Sequence, residues 1–185
     1  MPVNASNDKL GWKAPDFNLL NVNEKILSLE DISGSNGTVI AFICNHCPYV
    51  LKIIERFIKE ANELKKISIN TAAIMSNDAK QNSADSFENM IIFSKKYDFG
   101  FQYLYDESQE VAKKYNAVCT PDFFGFDSSL LLKYRGRIDS AVMNKENLKI
   151  DRNLYDAMIQ IKSEGKAPTE QFNSFGCSIK WKNSV

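Results

Sequence analysis

The sequence lacks an excess of charge of either sign, because 23 Lys and Arg residues balance 23 Asp and Glu residues. We therefore expect no attraction to nucleic acid or to an anionic membrane surface. It also lacks a long apolar run, since the stretch at 39–44 is far shorter than the roughly 20 residues that span a bilayer. The first residues contain neither the basic region nor the apolar core of a signal peptide. These absences predict a cytoplasmic location without a membrane span.

Cysteine is also scarce, with four residues in a chain of 185. In a cytoplasmic protein such cysteines are more often reactive or metal-binding than part of a disulfide framework. The proportions of hydrophobic residues (44%) and charged residues (25%) are ordinary for a globular protein. We predict one domain over 1–185, with a leader at 1–13 and a C-terminal tail at 166–185. The sequence leaves the oligomeric state open.

The stretch around two closely spaced cysteines is the most informative part of the chain. An apolar, β-branched run at 39–43 leads into Cys44-Asn45-His46-Cys47, and Pro48 follows at once. Pro48 suits the first helical turn, so Cys47 is predicted at a helix N-terminus, where the pKa of a thiol falls and the reactive thiolate forms more readily. The predicted helix carries an apolar stripe of Leu51, Ile54, Phe57, Ile58, Ala61 and Leu64.

The rest of the pattern alternates strands with helices. Weakly alternating segments at 14–20 and 26–29 flank a polar turn and predict a β-hairpin. Buried strands that alternate with helices predict an α/β fold with a mixed sheet covered on both faces. Further strands are predicted at 67–75, 101–105, 122–126 and 130–134, and further helices are predicted to begin at Ser83 or Asp85, after Asp106, and at Asp151.

Several motifs together resemble a known family. The segments GWKAPDF at 11–17, the strand-Cys-Pro-helix at 42–48 and Thr120-Pro121 are similar to those of thioredoxin-fold proteins in the alkyl hydroperoxide reductase/thiol-specific antioxidant (AhpC/TSA) branch. The segments at 119–124 and 176–182 resemble an uncharacterised peroxiredoxin-like subgroup of that branch. The resemblance implies a thioredoxin-like fold, with a central mixed β-sheet flanked by helices, an N-terminal β-hairpin and a C-terminal tail.

The resemblance also implies roles for individual residues. Matching Phe42 to the strand phenylalanine that precedes the thioredoxin motif places Cys47 at the attacking cysteine, and Val50 stands where the usual second cysteine would be. Pro121 is expected to follow a cis peptide bond and face Cys47, and Thr120 is expected to offer its backbone to an extended substrate. The Pro-x-x-x-Thr pattern that precedes a peroxidatic cysteine is not found, so peroxidase activity is the alternative to thiol–disulfide exchange.

Three other thiols could partner Cys47. Cys44 is ranked first because a tight turn could bring its Cα within the ~4.4–6.8 Å that a disulfide bridges. The resemblance implies that Cys119 lies near the active loop, and Cys177 on the tail could reach over and resolve a sulfenic acid on Cys47. We therefore predict Cys47 and Cys44 as the catalytic pair, with Cys119 and Cys177 as accessory thiols.

A metal-binding module is the hypothesis from a different class. Cys44, His46 and Cys47 offer soft ligands that suit copper or zinc. A redox-inert binding domain is a third possibility. The prediction that we carry forward is a cytoplasmic, antioxidant-like thiol oxidoreductase without a cofactor, which acts on a thiol or disulfide substrate through Cys47. Its expected reductant is a donor of the thioredoxin or glutathione type.

Overall fold

The computed structural model describes residues 2–5, 10–141 and 150–182 of the chain. Its strands are β1 (Pro2–Asn4), β2 (Asn18–Asn21), β3 (Ile26–Ser28), β4 (Thr38–Phe42), β5 (Asn70–Met75), β6 (Gln102–Tyr105), β7 (Cys119–Thr120), β8 (Asp122–Phe126), β9 (Leu132–Gly136) and β10 (Phe175–Ser178). Its helices are α1 (Leu29–Ile32), α2 (Pro48–Lys65), α3 (Phe87–Lys96), α4 (Glu110–Lys114) and α5 (Asn153–Glu164).

Among the described residues, the larger sheet has seven strands in the order β3-β2-β6-β5-β4-β8-β9. The three central strands β4, β5 and β6 are parallel, and α2 and α3 supply the crossovers that parallel neighbours require. The outer strands pair antiparallel, and β2 with β3 forms the predicted hairpin. The sheet is therefore mixed, as the sequence predicted.

Strand β4 shows how the sequence sorts its side chains between two cores. Val39 and Ala41 pack in one buried cluster with apolar residues of α2, α3 and α5, whereas Ile40 and Phe42 pack in a second cluster with residues of α1 and α4. All four are essentially inaccessible to solvent. Successive side chains of a strand point to opposite faces, so a continuously apolar strand needs helices on both sides. This confirms the predicted thioredoxin-like α/β fold.

Helix α2 begins at Pro48 directly after Cys47, as predicted. Its buried face includes Ile54, Phe57, Ala61 and Leu64, but Leu51 is largely exposed. The predicted stripe was therefore wrong at Leu51. Val50 occupies the buried position of the first turn instead.

Two predicted helix caps were wrong. The N-cap of α3 is Ser86, whose hydroxyl accepts a hydrogen bond from the Asn89 N–H, and Asp85 belongs to a preceding 3₁₀ turn with its carboxylate turned inward. Helix α5 begins after Arg152 rather than Asp151, because the Asp151 backbone is already bonded to Ser140.

The two chain ends form structure that the sequence did not predict. Strand β10 of the tail lies between β1 and β7 in a second, three-stranded antiparallel sheet. The predicted leader at 1–13 therefore contains a strand at 2–4, and within 10–13 the Gly11 N–H donates to the Leu132 carbonyl. Parts of the predicted leader (1 and 6–9) and tail (183–185) lie outside the described residues, and the single-domain assignment stays a prediction. No helix in the described part of the chain is both long and apolar enough to cross a membrane.

Candidate active site

The loop between β4 and α2 carries both cysteines of the central motif, and Asp85 holds this loop in place. The buried Asp85 carboxylate accepts hydrogen bonds from the Asn45 N–H at 2.9 Å and from the Asn77 side chain at 2.8 Å. It also pairs with Nδ1 of His46 at 2.7 Å. The Tyr103 hydroxyl donates to the Asn45 side chain at 2.9 Å and fixes the loop from the sheet side. The thiols thus project from a rigid segment.

Sequence reasoning missed the role of Asp85. The residue lies 40 positions beyond Asn45 in the chain, in a polar segment that otherwise predicts a helix start. Acidic residues are common near helix N-termini, so the residue type gave no reason to place its carboxylate in the core. Only the packing of the turn at Ser83–Asp85 against the loop brings the groups together.

Thr120 and Pro121 lie opposite the thiols, and the peptide bond between them is cis. The Thr120 carbonyl oxygen is 3.2 Å from Sγ of Cys47, and the Thr120 hydroxyl is 3.3 Å from Sγ of Cys44. The structure therefore brings the predicted substrate-binding residues against both predicted catalytic cysteines. The role of Thr120 and Pro121 in binding substrate stays a prediction.

The thiol of Cys177 lies directly over Cys47. Strand β10 pairs antiparallel with β7 so that Cys177 faces Thr120, and the two Sγ atoms of Cys47 and Cys177 are 2.9 Å apart. Cys47 is completely buried, whereas Cys177 is partly exposed. Gly176 permits this close approach, because a Cβ at that position would overlap the Thr120 carbonyl oxygen. The tail thus places a second thiol over Cys47, the nucleophile that the sequence predicts.

The residues after β10 are anchored firmly. The Lys180 carbonyl accepts hydrogen bonds from the Asp78 N–H and from the Gln109 side chain, each at 2.8 Å. The Lys180 N–H donates to the Asn77 side chain at 2.9 Å. Ile179 is buried in the core cluster on the α1 and α4 side of the sheet. These contacts fix the position of the strand that carries Cys177.

The environment of Cys47 favours its thiolate. A hydrogen bond from the Cys44 thiol is the largest influence, and it lowers the pKa of Cys47 to about 5 against the opposing effect of burial. The Cys177 thiol and the backbone N–H groups of Val50 and Cys177 lower this pKa further. The Thr120 carbonyl accepts a hydrogen bond only from the protonated thiol and so acts in the opposite direction. Several donors against one acceptor lower the pKa of Cys47 on balance.

The neighbouring thiols are shifted the other way. The hydrogen bond to Cys47, burial and the Asp85 carboxylate together raise the pKa of Cys44 far above its ordinary value. Burial and the contact with Cys47 raise the pKa of Cys177 to about 11, although the charge of Lys180 lowers it. Groups whose pKa values are pushed apart in this way take acid and base roles. Cys44 and Cys177 therefore lose their protons at higher pH than Cys47.

Cys119 occupies a different environment. It is fully buried in β7, and its Sγ is 3.8 Å from the Pro121 carbonyl oxygen. Burial raises the pKa of Cys119 well above its ordinary value. These features are those of a cysteine that packs rather than reacts.

The potential metal ligands group differently from the predicted set. In the described part of the chain, the ligand atoms of Cys44, His46 and Asp85 all lie within 4.8 Å of one another, and Cys47 is not a member of this group. Asp85 also accepts hydrogen bonds from Asn45 and Asn77, and the Cys44 thiol contacts the Thr120 hydroxyl. The geometry favours an anchor for the loop over the copper or zinc site predicted from Cys44, His46 and Cys47.

The fold agrees with comparisons to known proteins. The model of the AhpC/TSA family matches residues 10–141. The chain belongs to the AhpC/TSA family. Among solved structures, it is similar to an uncharacterised conserved protein from Geobacillus kaustophilus, with 41% identity over 100% of this chain and 98% of the other and a TM-score of 0.94. A hypothetical protein from Sinorhizobium meliloti 1021 is 36% identical over 98% and 99% of the chains, with a TM-score of 0.91.

More distant structures share only the fold with this AhpC/TSA protein. A secreted disulfide oxidoreductase from Mycobacterium tuberculosis, homologous to E. coli DsbE, is 14% identical over 77% of this chain and 94% of the other, with a TM-score of 0.57. A comparison with curated proteins gave no match. Membership of the AhpC/TSA family supports a thiol-redox role.

Proposed function

We propose that the protein is a thiol-dependent oxidoreductase whose redox couple is Cys47 and Cys177. The observation that carries the proposal is the 2.9 Å separation of their Sγ atoms, and the lowered pKa of Cys47 supports it. A disulfide needs a bond of about 2.05 Å, so the two sulfurs have to approach by less than ~1 Å. Membership of the AhpC/TSA family supports the same chemistry.

The first step oxidises Cys47. Its thiolate attacks one sulfur of a disulfide substrate, forms a mixed disulfide and expels the other substrate sulfur as a thiolate. Because Cys47 is completely buried beneath Cys177, this step takes place with β10 displaced from β7. The ladder between these strands consists of two residue pairs, Cys177 with Thr120 and Ser178 with Cys119. Displacement of β10 from β7 disrupts these two pairs.

The second step closes the internal disulfide. With β10 seated again, the Cys177 thiolate attacks Sγ of Cys47 and releases the second substrate thiolate. Two of the influences that raise the pKa of Cys177 are its hydrogen bond to the Cys47 thiolate and the repulsion from that charge. Both disappear once Cys47 is in a mixed disulfide. Cys177 thus becomes a better nucleophile at the moment when it is needed.

Cys44 takes a different part in this scheme from the one that the sequence predicted. Burial and the Asp85 carboxylate still oppose ionisation of Cys44 after Cys47 has been oxidised. A thiol that keeps its proton is a poor attacking group but a good donor. We propose that Cys44 stabilises the Cys47 thiolate by a hydrogen bond, and that Cys177 resolves.

A hydroperoxide is the second candidate oxidant, because the chain belongs to a family that includes thiol-specific antioxidant proteins. The Cys47 thiolate would then attack the peroxide, release an alcohol or water and become a sulfenic acid. The Cys177 thiol would condense with this group and release water, so the same internal disulfide forms. We propose that a thioredoxin- or glutathione-type donor in the cytoplasm then reduces this disulfide.

The pairing is tested by equilibrating the metal-free protein across a glutathione redox series and mapping its peptides without reduction. We expect a Cys47–Cys177 disulfide that titrates near the potentials of known oxidoreductases, roughly −120 to −270 mV. The link should persist in Cys44→Ser, and in the control Cys119→Ser. It should be absent from Cys177→Ser, where a mixed disulfide on Cys47 accumulates instead.

Two results would overturn the pairing. A Cys44–Cys47 disulfide in the wild type would restore the sequence prediction, and four free thiols throughout the series would remove the redox role. The oxidant is identified separately by following loss of thiols with a peptide disulfide and with a hydroperoxide under the same conditions.

A further inference from the structure

We propose that a small cavity at the end of the sheet opposite the thiol loop binds a small zwitterion of the amino-acid type. The cavity has a volume of about 90 Å³ and lies where α1, the end of α2 and the first residues of β5 and β6 meet. Strands β4, β5 and β6 are parallel, and the cysteine loop follows the last residue of β4. The cavity and the thiols therefore lie at opposite ends of these strands, and the inference does not depend on the proposed redox function.

Two opposite charges line the cavity and are not paired with each other. The Lys65 ammonium group, at the end of α2, donates to the Gly100 carbonyl at 3.3 Å. The Asp31 carboxylate, on α1, accepts hydrogen bonds from the backbone N–H and the hydroxyl of Ser28. These bonds lower the pKa of Asp31, so its carboxylate is charged at neutral pH. A ligand with one charge of each sign complements this pair, whereas a simple anion or cation is repelled by one of the two groups.

The hydroxyl of Thr71 supplies a hydrogen-bonding group that the protein does not use. Thr71 lies in β5, lines the cavity and is only 7% exposed, and its Oγ1 has no hydrogen-bond partner among the described residues. Buried polar groups are nearly always hydrogen-bonded, so this hydroxyl indicates a ligand or an ordered water beside it. One water needs roughly 10–15 Å³ of such volume, so the cavity has space for a molecule of several non-hydrogen atoms.

The side chain of Gln102, which also lines the cavity, has its donor end available. Its Oε1 accepts a hydrogen bond from Nδ2 of the buried Asn21 at 2.8 Å. The orientation of Asn21 is fixed in turn, because its Oδ1 accepts a hydrogen bond from the Tyr103 N–H at 2.9 Å. The Nε2 group of Gln102 is therefore left to donate to another acceptor. Together with the Lys65 ammonium group and the Thr71 hydroxyl, it gives the cavity three donors that suit a carboxylate.

The acceptors of the cavity suit an ammonium group. Asn70 donates through Nδ2 to the Ser33 carbonyl at 3.1 Å, so its Oδ1 is left as an acceptor beside the Asp31 carboxylate in the lining. The remaining wall is apolar and is formed by Ile32, Ala61 and Phe101. The small volume limits the side chain of the ligand, which we expect to be no larger than that of alanine.

The experiment follows the backbone amide resonances of the full-length protein during titration with glycine, and separately with acetate and with methylamine. We expect glycine to shift the amides of residues 70–71 and 100–102 and to leave those of residues 44–47 unchanged. Acetate and methylamine each carry only one of the two charges and should bind at least about tenfold more weakly. Acetate binding as tight as that of glycine would overturn the zwitterion class. Unshifted amides around the cavity, with ordered waters alone beside Thr71 in a crystal soaked in glycine, would overturn the site.

A matched pair of threonine variants tests the hydroxyl. Thr71→Val keeps the shape of the side chain and removes a hydroxyl without a partner, whereas Thr38→Val, on the neighbouring strand, removes one that accepts a hydrogen bond from the Gly34 N–H at 3.1 Å. We expect Thr71→Val to weaken glycine binding several-fold without lowering the stability of the ligand-free protein. Thr38→Val should lower the stability and leave the affinity for glycine unchanged. Wild-type affinity for glycine in Thr71→Val would contradict the proposal.

A pair of lysine variants tests the charge. Lys65→Met removes the ammonium group that lines the cavity, whereas Lys66→Met removes that of its exposed neighbour, which does not line it. We expect Lys65→Met to weaken glycine binding by about tenfold and to abolish the preference for glycine over methylamine, and Lys66→Met to do neither. Equal affinities of the two variants for glycine would show that the cavity does not recognise a carboxylate through Lys65, and the proposal would fall.

Discussion

Gly176 passes so close to Thr120 that a Cβ on Gly176 would overlap the Thr120 carbonyl oxygen. This contact lies at the point where β10 pairs with β7 and next to the thiol pair. The side chain at 176 therefore controls the seating of the tail strand without belonging to the thiol chemistry.

We predict that Gly176→Ala slows formation of the Cys47–Cys177 disulfide by about tenfold or more, since about 1.4 kcal/mol of strain in the seated strand suffices for that factor. The rate of alkylation of Cys47 should rise in the same variant, because the cover over it is weakened. The fluorescence of Trp181, whose carbonyl accepts a hydrogen bond from Gln81 at 2.6 Å, reports whether the end of the tail stays in place.

Gly165→Ala provides the matched control for Gly176→Ala. Gly165 has a φ of +67° and nothing within 4 Å of a Cβ, so alanine there should cost about 1–2 kcal/mol of stability from backbone strain alone. It should leave the thiol reactions unchanged. Equal effects of the two variants on disulfide formation would show that general destabilisation, rather than the seating of β10, is responsible.

The lowered pKa of Cys47 has a consequence for stability. The folded reduced protein ionises Cys47 near pH 5, whereas an unfolded thiol ionises near ~8.5. Between these values the unfolded state binds the extra proton, so the free energy of unfolding should rise with pH. Relative to Cys47→Ser, the advantage of the wild type should grow from pH 5 to about pH 8.5.

Urea unfolding under reducing conditions at several pH values measures this slope. Cys119→Ser is the control, because the pKa of Cys119 is raised rather than lowered and so contributes no slope in this window. Ultraviolet absorbance of the thiolate should show a titration near pH 5 that is missing from Cys47→Ser. A midpoint near the ordinary thiol value would contradict the stabilised thiolate.

The sequence predicted the α/β fold, the hairpin and the start of α2 because those features depend on local patterns. Pro48 and the apolar periodicity fix the helix within one stretch of chain, and the continuous burial of β4 follows from its apolar run. The cis bond before Pro121 was expected only through the resemblance to thioredoxin folds. Local chemistry and family motifs thus located one side of the site.

The other side of the site could not be predicted in this way. Cys177 lies 130 positions beyond Cys47, and strand β10 is short and paired on both edges by equally short strands. Strands of two to four residues have no recognisable period, and their pairing depends on tertiary contacts. The sequence analysis ranked Cys44 first as the partner of Cys47 because a tight turn could bring the two together, whereas the proposed function pairs Cys47 with Cys177. Asp85 was missed for the same reason, since its contacts with the loop are non-local.

The anchoring role of Asp85 leads to a third prediction. Asparagine has one acceptor oxygen in place of the two that receive the Asn45 N–H, His46 and Asn77 donors. The new amide nitrogen faces at least one of these donors, which is left unpaired in a buried site. We expect Asp85→Asn to reduce the free energy of unfolding by about 1–3 kcal/mol and to slow disulfide formation by loosening the loop.

Asp98→Asn is a suitable control for the Asp85 variant. Asp98 is exposed and has a φ of +52°, a conformation that asparagine also tolerates. The free energy of unfolding of Asp98→Asn should therefore be nearly that of the wild type. Denaturant unfolding of the two variants separates a general effect of Asp to Asn changes from the loss of the anchor. An Asp85→Asn protein as stable as the wild type would show that the loop is held by other contacts.

Glu60 provides the fourth prediction. Here the free energy of unfolding should fall as pH rises, opposite to the effect of Cys47. Burial raises the pKa of Glu60 to about 7, even though its carboxylate accepts a hydrogen bond from Arg152 at 3.0 Å. The folded protein therefore holds a proton between about pH 4.3 and pH 7 that the unfolded chain has lost, and the free energy of unfolding falls as pH rises through that window. Glu60→Gln should not lose stability in this window, because its amide stays neutral at every pH.

We expect Glu60→Gln and the wild type to have similar stability near pH 5, and the variant to be more stable by about 1–3 kcal/mol at pH 8. Glu63→Gln is the control, since Glu63 contacts the same Arg152 at 2.7 Å but is partly exposed. It should not gain stability at pH 8. Urea unfolding of both variants and the wild type at the two pH values measures these differences. A Glu60→Gln protein less stable than the wild type at pH 8 would show that the ion pair with Arg152 outweighs the cost of burying the carboxylate.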